Sequence, residues 1–533
     1  LDSKIKEYKK TNMQRYTILW ADDEIELLKP YIVFLENKGY DVTPVPSGAD
    51  ALDLVEKLNF DLIFLDEMMA GMTGLDTLVQ IKKIKPNIPV VMITKSEEEQ
   101  IMEAAIGSKI ADYLIKPINP NQILLAAKKL LDNKRLVSEK TNSSYMQDFR
   151  QLSMQYNEES DFKEWAEIYK KLVFWELEID RSSDKSMEEV FQMQKSEANL
   201  RFSHFIEDNY ESWMLNPNVK KPVMSHTLLK TKVFPLINSE SPLFFILIDN
   251  FRLDQWKLME DIISDFFTIE SDETYYSILP TATSYARNAI FSGLTPLEMS
   301  KQHADIWVND EGDNEDGLNK NEDEFLRRQL KKNNLNHKFS YHKILNNSQA
   351  KTLVDNFNNL LKDDLVVVVY NFIDMLSHAR TDMAVIKELA HDEAAYRSIT
   401  KSWIMHSQML DFLKLIASKN GRVIITTDHG MVKVKNAKRI VGDRNVNTNL
   451  RYKQGRNLNL DDKNDFVIEV RKPENYKLPS PNLSTSYFFT TCDYFFAYPN
   501  NYNHYVGHYK DTFQHGGVSL EEIIIPFAVL KAK

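Results

Sequence analysis

The stretch Gly421–Gly430, "GRVIITTDHG", runs a short apolar, β-branched segment straight into an acid and a histidine, Asp428 and His429. Such a run, bounded by turn formers, reads as a buried strand. In an open parallel sheet, chemistry gathers beyond the C-terminal ends of the strands. The arrangement recurs. Asp249 ends "PLFFILID", Asp374 ends "DLVVVVYNFID" with His378 four residues on, and His515 in "FQHGG" precedes the last strand, "EEIIIPFAVL". With "YYSILP" as a further strand and helical segments between, residues 219–533 read as a large α/β domain. Asp and His at i, i+4 share one helical face, and an adjacent Asp-His pair sends two ligands from a turn. Oxygen and imidazole ligands without thiolate suit Zn²⁺ or Mn²⁺. Six such ligands and a threonine suffice for two metals.

That threonine stands in "PTATSYARNAIFSGL", Pro280–Leu294, which opens as a loop and closes as a helix ending at Ser292-Gly293. Thr281 and Thr283 at the helix mouth admit two readings. One is an N-cap, satisfying free backbone N–H groups; the other is a nucleophile, held where a helix N-terminus favours an incoming phosphate.

From Tyr16 to about Lys134 a second alternation appears: "YTILWAD", "DVTPVP", "DLIFLDE", "IPVVMIT" and "IADYLIKP". Five strands alternating with amphipathic helices predict a doubly wound parallel sheet. Its strand ends deliver Asp22, Asp23 and Asp66, a self-repelling cluster for which Mg²⁺ is the natural occupant. Asp66 is then placed to accept a phosphoryl group, with Thr94 and Lys116 at neighbouring strand ends to grip the phosphoryl oxygens. Between the two α/β regions, residues 136–218 are rich in Glu, Lys, Gln, Met and aromatics at three- and four-residue steps, which predicts a helical bundle or spacer.

Composition narrows the function classes. A formal net charge of −11 argues against a protein whose main task is to coat duplex DNA. The single cysteine, Cys492, excludes a disulfide framework and a cysteine-based zinc module. The apolar runs are too short to span a bilayer, and no signal peptide is visible, so a soluble cytoplasmic protein is expected. Residues 1–12 read as an upstream extension or tag, and the acidic stretch Asn309–Glu324 as a solvated loop or lid.

The pattern over Tyr16–Asn133 resembles the receiver domain of two-component response regulators, a flavodoxin-like fold. The resemblance implies Asp66 as the phosphorylation site and Asp22, Asp23 and the Met68 carbonyl as Mg²⁺ ligands. Thr94, Lys116 and Tyr113 become the switch residues, and a sensor histidine kinase and phosphorylation-dependent dimerisation are implied as well. Ala70 departs from the proline usual there. In the large domain the order Asp249, Thr283, Asp374-x-x-x-His378, Asp428-His429, His515 resembles the alkaline phosphatase superfamily. The threonine segment is similar to its nucleotide pyrophosphatase/phosphodiesterase branch. That implies Thr283 as nucleophile and Thr281 as a capping or spacing residue. One Zn²⁺ is then held by Asp249, Asp428, His429 and Thr283, and a second by Asp374, His378 and His515, with Arg287 and Asn288 beside the substrate. Finer texture ("FILIDNFRLDQW", "ITTDHG", "FQHGGVSLEEIIIP") resembles the PglZ subgroup. Receiver, helical segment and PglZ domain in that order (13–135, 136–218 and 219–533) are similar to response regulators associated with the type IX secretion system of Bacteroidetes.

The loop Asp443–Leu458 carries Arg444, Arg451, Lys453 and Arg456 around Tyr452. It reads either as a solvated loop or as a groove that pairs a second phosphate and stacks a base. The groove reading favours a nucleotide or oligonucleotide phosphodiester, linear or cyclic. His504, Tyr505, His508 and Lys510 are further candidates for the pocket. A competing class is a non-enzymatic scaffold that binds a sigma factor or a secretion component.

Overall fold

A computed structural model describes residues 16–95, 110–156, 160–182, 187–238, 241–308, 319–443, 446–460 and 466–533, without the side chains of 132–143, 382 and 384. Residues 1–12, most of the acidic stretch and Arg444 lie outside the described residues. The chain forms two compact units that meet in sequence at Ser144 and Tyr145.

In the first unit, β1 (Thr17–Ala21), β2 (Asp41–Val45), β3 (Leu62–Asp66), β4 (Val90–Thr94) and β5 (Asp112–Ile115) form a sheet of order β2-β1-β3-β4-β5. All its pairings are parallel. Side chains alternate across the pleat. Ile18 and Trp20 pack with Phe64, Val91 and Ile93 on one face, while Leu19 and Ala21 pack with Ile63, Leu65 and Met92 on the other. In β1, β3 and β4 both faces are buried, which explains why these strands read as unbroken apolar runs, whereas β2 and β5 at the sheet edges are partly exposed and mixed in sequence.

The second unit is built on β6 (Leu243–Ile248), β7 (Phe267–Tyr276), β8 (Phe339–Ile344), β9 (Leu365–Tyr370), β10 (Arg422–Thr426) and a C-terminal strand, Ile524–Ala532. The order is β7, C-terminal strand, β10, β6, β9, β8. β10, β6, β9 and β8 run parallel, and the C-terminal strand pairs antiparallel with β10 and β7. The strand expected at "YYSILP" begins earlier than the sequence suggests. β7 is mostly "FTIESDETYY", and its ladder ends where Tyr276 meets Ile524, so Ser277–Pro280 leaves the sheet.

The helices Asn133–Gln155, Phe162–Arg181 and Glu188–Leu215 occupy the expected middle segment. From Tyr145 onward they share one hydrophobic core with the large sheet. Phe162, Phe202 and Trp213 each make a ring contact with Tyr276 of β7. The acidic stretch needs a correction at its described end. Glu322 is only 2% exposed and begins the helix Glu322–Lys332. It is buried because Arg287 and Lys343 bind its carboxylate.

Candidate active site

Sheet register explains the first cluster. Thr426 pairs with Leu247, so Asp428 and Asp249, each two residues further on, emerge side by side. Asp249, Asp428 and His429 are fully buried and bring ligand atoms within 4.8 Å of one another. His429 Nδ1 is 3.1 Å from the Gly430 carbonyl, which leaves Nε2 facing the cluster, 3.9 Å from Asp249 Oδ1 and 3.8 Å from Asp428 Oδ2. A carbonyl on one imidazole nitrogen is how metal-binding histidines are oriented. Asp249 Oδ1 has no hydrogen-bond partner among the described residues, although it is buried. A buried orphan oxygen facing an imidazole nitrogen fits a divalent cation.

The second cluster is Asp374, His378 and His515. Asp374 and His378 share a face of the helix Phe372–Asp382, with His378 Nε2 3.5 Å from Asp374 Oδ2. His515 Nδ1 faces the Thr281 carbonyl at 3.3 Å, and its Nε2 lies 3.7 Å from Asp374 Oδ1. The His429 and His515 rings stack at 4.2 Å, so the clusters are neighbours. Asn250 joins them: its side-chain amide donates to Asp374 Oδ1 at 3.2 Å, and its backbone N–H faces Asp428 Oδ1 at 3.5 Å.

The two threonines now separate. Thr283 is the first residue of the helix Thr283–Ser292, and its hydroxyl caps nothing; it lies 3.0 Å from His429 Nε2. Gly293 closes this helix at φ +64°, where an added Cβ would strike Gln329. Thr281 is not a helix cap either, so of the two roles expected for it, capping or spacing, capping is ruled out. It is fully buried, donates to the Gly517 carbonyl at 2.8 Å and accepts from the Gly516 N–H at 3.1 Å, tying the loop to the His515 segment.

Thr283, Asp249 of the first cluster and all three residues of the second line a cleft of about 360 Å³, while Asp428 and His429 lie behind its wall. Burial, with Asp428 and Asp374 adding repulsion, lifts the Asp249 carboxyl well above the usual range against the pull of Arg287. Burial works the same way on Asp428, but Arg287 and His429 outweigh it and hold Asp428 at about 2. Burial, with His429 and His378 nearby, pushes His515 well below the ordinary imidazole value.

Residues 228–531 match the family model of the BREX system PglZ alkaline phosphatase-like domain. The chain belongs to the PglZ family. Ahead of the PglZ domain, residues 18–128 match the response regulator receiver domain and residues 135–214 the PorX response regulator linker domain. Their order is that of a PorX-like response regulator with a PglZ output domain. Similar curated relatives match over about a fifth to a quarter of the chain. The alginate biosynthesis transcriptional regulatory protein AlgB of Pseudomonas syringae is 38% identical over 119 residues, 22% of this chain and 27% of its own length. The transcriptional regulatory protein ResD of Bacillus subtilis is 32% identical over 114 residues, 21% of this chain and 47% of its own length. The chain thus spans about a quarter to a half of these relatives. Among solved structures, the Vibrio cholerae chemotaxis protein CheY4 is similar at 25% identity, covering 22% of this chain and 100% of that one with a TM-score of 0.22.

In the receiver, Asp22, Asp23 and Asp66 bring carboxylate oxygens within 4.8 Å of one another. Lys116 Nζ lies 2.6 Å from Asp66 and 3.0 Å from Asp22. Burial lifts Asp66 above the usual carboxylate range, Lys116 opposing and Asp22 adding. Burial works against the Lys116 ammonium, but its bonds to Asp66 and Asp22 raise it all the same. The Thr94 hydroxyl donates to Glu67, a partner the sequence did not single out. The Met68 and Tyr113 side chains are exposed.

The residues expected at the substrate fare differently. Arg287 is fully buried; its guanidinium contacts Asp249, lies 2.9 Å from Asp428 and 3.4 Å from Glu322. It braces the first cluster from behind instead of facing the cleft. Arg451 is buried on Glu522, 2.6 Å away, and Lys453 is buried with Nζ donating to the Asn447 carbonyl. Neither forms a phosphate groove, because buried acceptors already hold their charges. Tyr452 lines the cleft but is 1% exposed between Tyr285 and Phe489, with no face for a base. Asn288 donates to the Ser284 carbonyl and to Asn319, which lines the cleft; Arg456 is exposed and does not line it. Sequence reasoning missed Asn371, which donates to Asp249 Oδ2 at 2.9 Å. Its position directly after β9 was the available signal.

Proposed function

We propose that this response regulator is phosphorylated on Asp66 by a sensor histidine kinase and that its PglZ domain is a dinuclear zinc phosphodiesterase using Thr283, acting in type IX secretion. The carrying observation is that Thr283 meets both three-ligand clusters: its hydroxyl lies 3.0 Å from His429, and it lines one cleft with Asp249, Asp374, His378 and His515. Asp249, Asp428 and His429 would hold one divalent cation with the Thr283 oxygen, and Asp374, His378 and His515 the other. When bound, these cations lower the pKa of the threonine hydroxyl and offset charge on the phosphoryl group.

The chain's own residues supply the rest. Thr283, at the positive end of its helix, attacks phosphorus while its proton leaves to solvent. The bond to one departing ester oxygen breaks, that oxygen takes a proton from solvent, and the remaining monoester group is left on Thr283 as a diester. Water then attacks that phosphorus, loses a proton to solvent, and releases the Thr283 oxygen, which is reprotonated, so the product is a phosphomonoester. Asn371 and Arg287 hold Asp249, and Asn250 holds Asp374, so ligand orientation is set in advance. Beyond the clusters, the cleft is lined by neutral polar groups including Ser284, Asn319, Thr448, Asn449 and Gln514, with no lysine or arginine among the described lining residues. Such a lining suits the single charge of a diester better than the double charge of a monoester. In the receiver, Asp22, Asp23 and Asp66 would hold Mg²⁺, which would offset charge on the incoming phosphoryl group; Asp66 accepts that group as an acyl phosphate, and the modified receiver drives homodimerisation.

The test is turnover of bis(p-nitrophenyl) phosphate and p-nitrophenyl phosphate by zinc-loaded full chain. Thr283→Ala should lower diester turnover by roughly 10³-fold or more with both metals retained. Near-parent turnover by the loaded variant would sink the assignment. It would favour the scaffold reading, for which the exposed Met375, Met383, Val385 and Leu389 near His378 offer a docking face.

A further inference from the structure

The segment His515–Glu522 connects the parts of the site. Its first residue belongs to the second cluster, and its two glycines bind the Thr281 hydroxyl. Ser519 caps the short helix that follows, and Glu522 accepts from the Gly517 N–H at 2.9 Å and from Arg451. Gly430, next to His429, packs so closely on the Glu521 carbonyl that no Cβ fits. A displacement of this segment therefore moves a residue of the second cluster directly, and reaches the first cluster and the Thr283 loop only at second hand, through Gly430 and the Thr281 hydroxyl.

What holds the segment from the other side comes from the middle helices. Asn199, on the helix Glu188–Leu215, accepts from the Leu520 N–H at 2.8 Å and donates to Glu521 Oε2 at 3.1 Å. One side-chain amide thus grips two consecutive residues, and Asn199 is 5% exposed. One turn earlier, Lys195 lies 3.1 Å from Glu521 Oε1 and 2.9 Å from Glu176 of the helix Phe162–Arg181. Glu176 continues to Arg397 at 3.0 Å, and Arg397 to Asp254 at 2.9 Å, five residues beyond Asp249. A cavity of about 380 Å³ opens beside these groups, lined in part by Glu176, Lys195, Asn199 and Glu521.

We infer that Asn199, supported by Lys195, is a positioning residue for the Asp374–His378–His515 cluster. By fixing Leu520 and Glu521, it sets how far His515 reaches toward Asp374. The middle helices are then part of the hydrolytic unit and not a passive spacer. This rests on reading that cluster as a metal site.

The experiment titrates zinc into metal-free full chain against a chromophoric chelator. Asn199→Asp keeps the acceptor for Leu520 but sets a carboxylate against Glu521. It should weaken one of two zinc sites by about 10- to 100-fold, as loss of an outer support does. Adding Glu521→Gln restores a donor opposite the new carboxylate and should bring affinity back near the parent. In a His378→Ala background, where the second site is already lost, Asn199→Asp should change nothing. If Asn199→Asp does not fold, Asn199→Ser, which adds no charge, carries the same test. Two zinc sites of parent affinity in the folded variant, or equal weakening of both, would overturn the inference. A parent chain that binds no second zinc would instead overturn the metal-site reading beneath it.

Discussion

Replacing Arg287 with methionine keeps most of the buried volume and removes a charge held between three carboxylates, those of Asp249, Asp428 and Glu322. Glu322 keeps Lys343 at 3.1 Å, so the uncompensated charge falls on the two aspartates. Breaking a buried pair by deleting one partner costs about 3–5 kcal/mol, and the metal-free variant should lose stability of that order. Zinc reverses the balance. A unit charge pair at 4 Å is worth about 4 kcal/mol at an effective dielectric of 20, so removing the guanidinium relieves a repulsion of several kcal/mol on a cation between Asp249 and Asp428. The parent gains about 2.7 kcal/mol at a zinc concentration 100 times Kd, and the variant should gain more. Calorimetry of the full chain, in chelator and in zinc, should therefore show a large melting gap that narrows as zinc is added. Diester turnover should still fall, because the oxygens of Asp249 and Asp428 are no longer sorted. A variant that melts with the parent in chelator, or a gap that zinc leaves unchanged, would refute this account of Arg287.

Thr281→Val deletes two buried hydrogen bonds to Gly516 and Gly517 and should cost about 1–3 kcal/mol, weakening diester turnover without abolishing it. Loss as complete as in Thr283→Ala would make Thr281 the nucleophile. Beryllofluoride with Mg²⁺ should shift the full chain toward dimer in sedimentation, and Asp66→Asn should not respond; an unchanged parent would exclude phosphorylation-driven assembly. Burial, countered by Glu298 and aided by Lys221, holds His226 down to about 4. A histidine depressed in the folded state favours folding fully above its unfolded pKa of about 6.5 and loses that advantage as pH falls toward 4. His226→Gln should therefore flatten the acid side of the stability profile by up to about 3 kcal/mol, and an unchanged profile in urea melts between pH 4 and 7 would count against it.

The sequence made the sheets legible because doubly buried strands write themselves as apolar runs, as "LFFILI" and "LVVVVY" do. The cluster residues were legible for a related reason: each stands just past such a run or in the loop before one. Arg287 shows where this kind of reading stops. A buried arginine and a phosphate-binding arginine look alike in sequence, and only the placement of Asp249, Asp428 and Glu322 decides between them. The same holds for Arg451, claimed by Glu522 seventy-one residues away. Glu322 sat at the end of a polar stretch whose composition gave no sign of a buried partner.

Placing buried Arg252, Arg397, Asp254, Glu176 and Glu521, with the partly buried Lys195 and Glu393, between the middle helices and the helices of the large domain needs a reason, since well-packed apolar groups often serve stability equally well. The aromatic contacts of Phe162, Phe202 and Trp213 on Tyr276 already supply adhesion there. Adhesion between apolar faces tolerates sliding, whereas a charge pair at 3 Å does not. The paired acids also follow a pattern. Asp254 lies five residues past Asp249, and Glu521 six past His515, so one acid stands downstream of a ligand from each cluster. A shift of the helix Glu188–Leu215 by a fraction of a turn would break the Lys195 and Asn199 contacts before it disturbed the aromatic ones. The ionic groups therefore tie helix register to ligand geometry, and a change in that register would be felt first at His515.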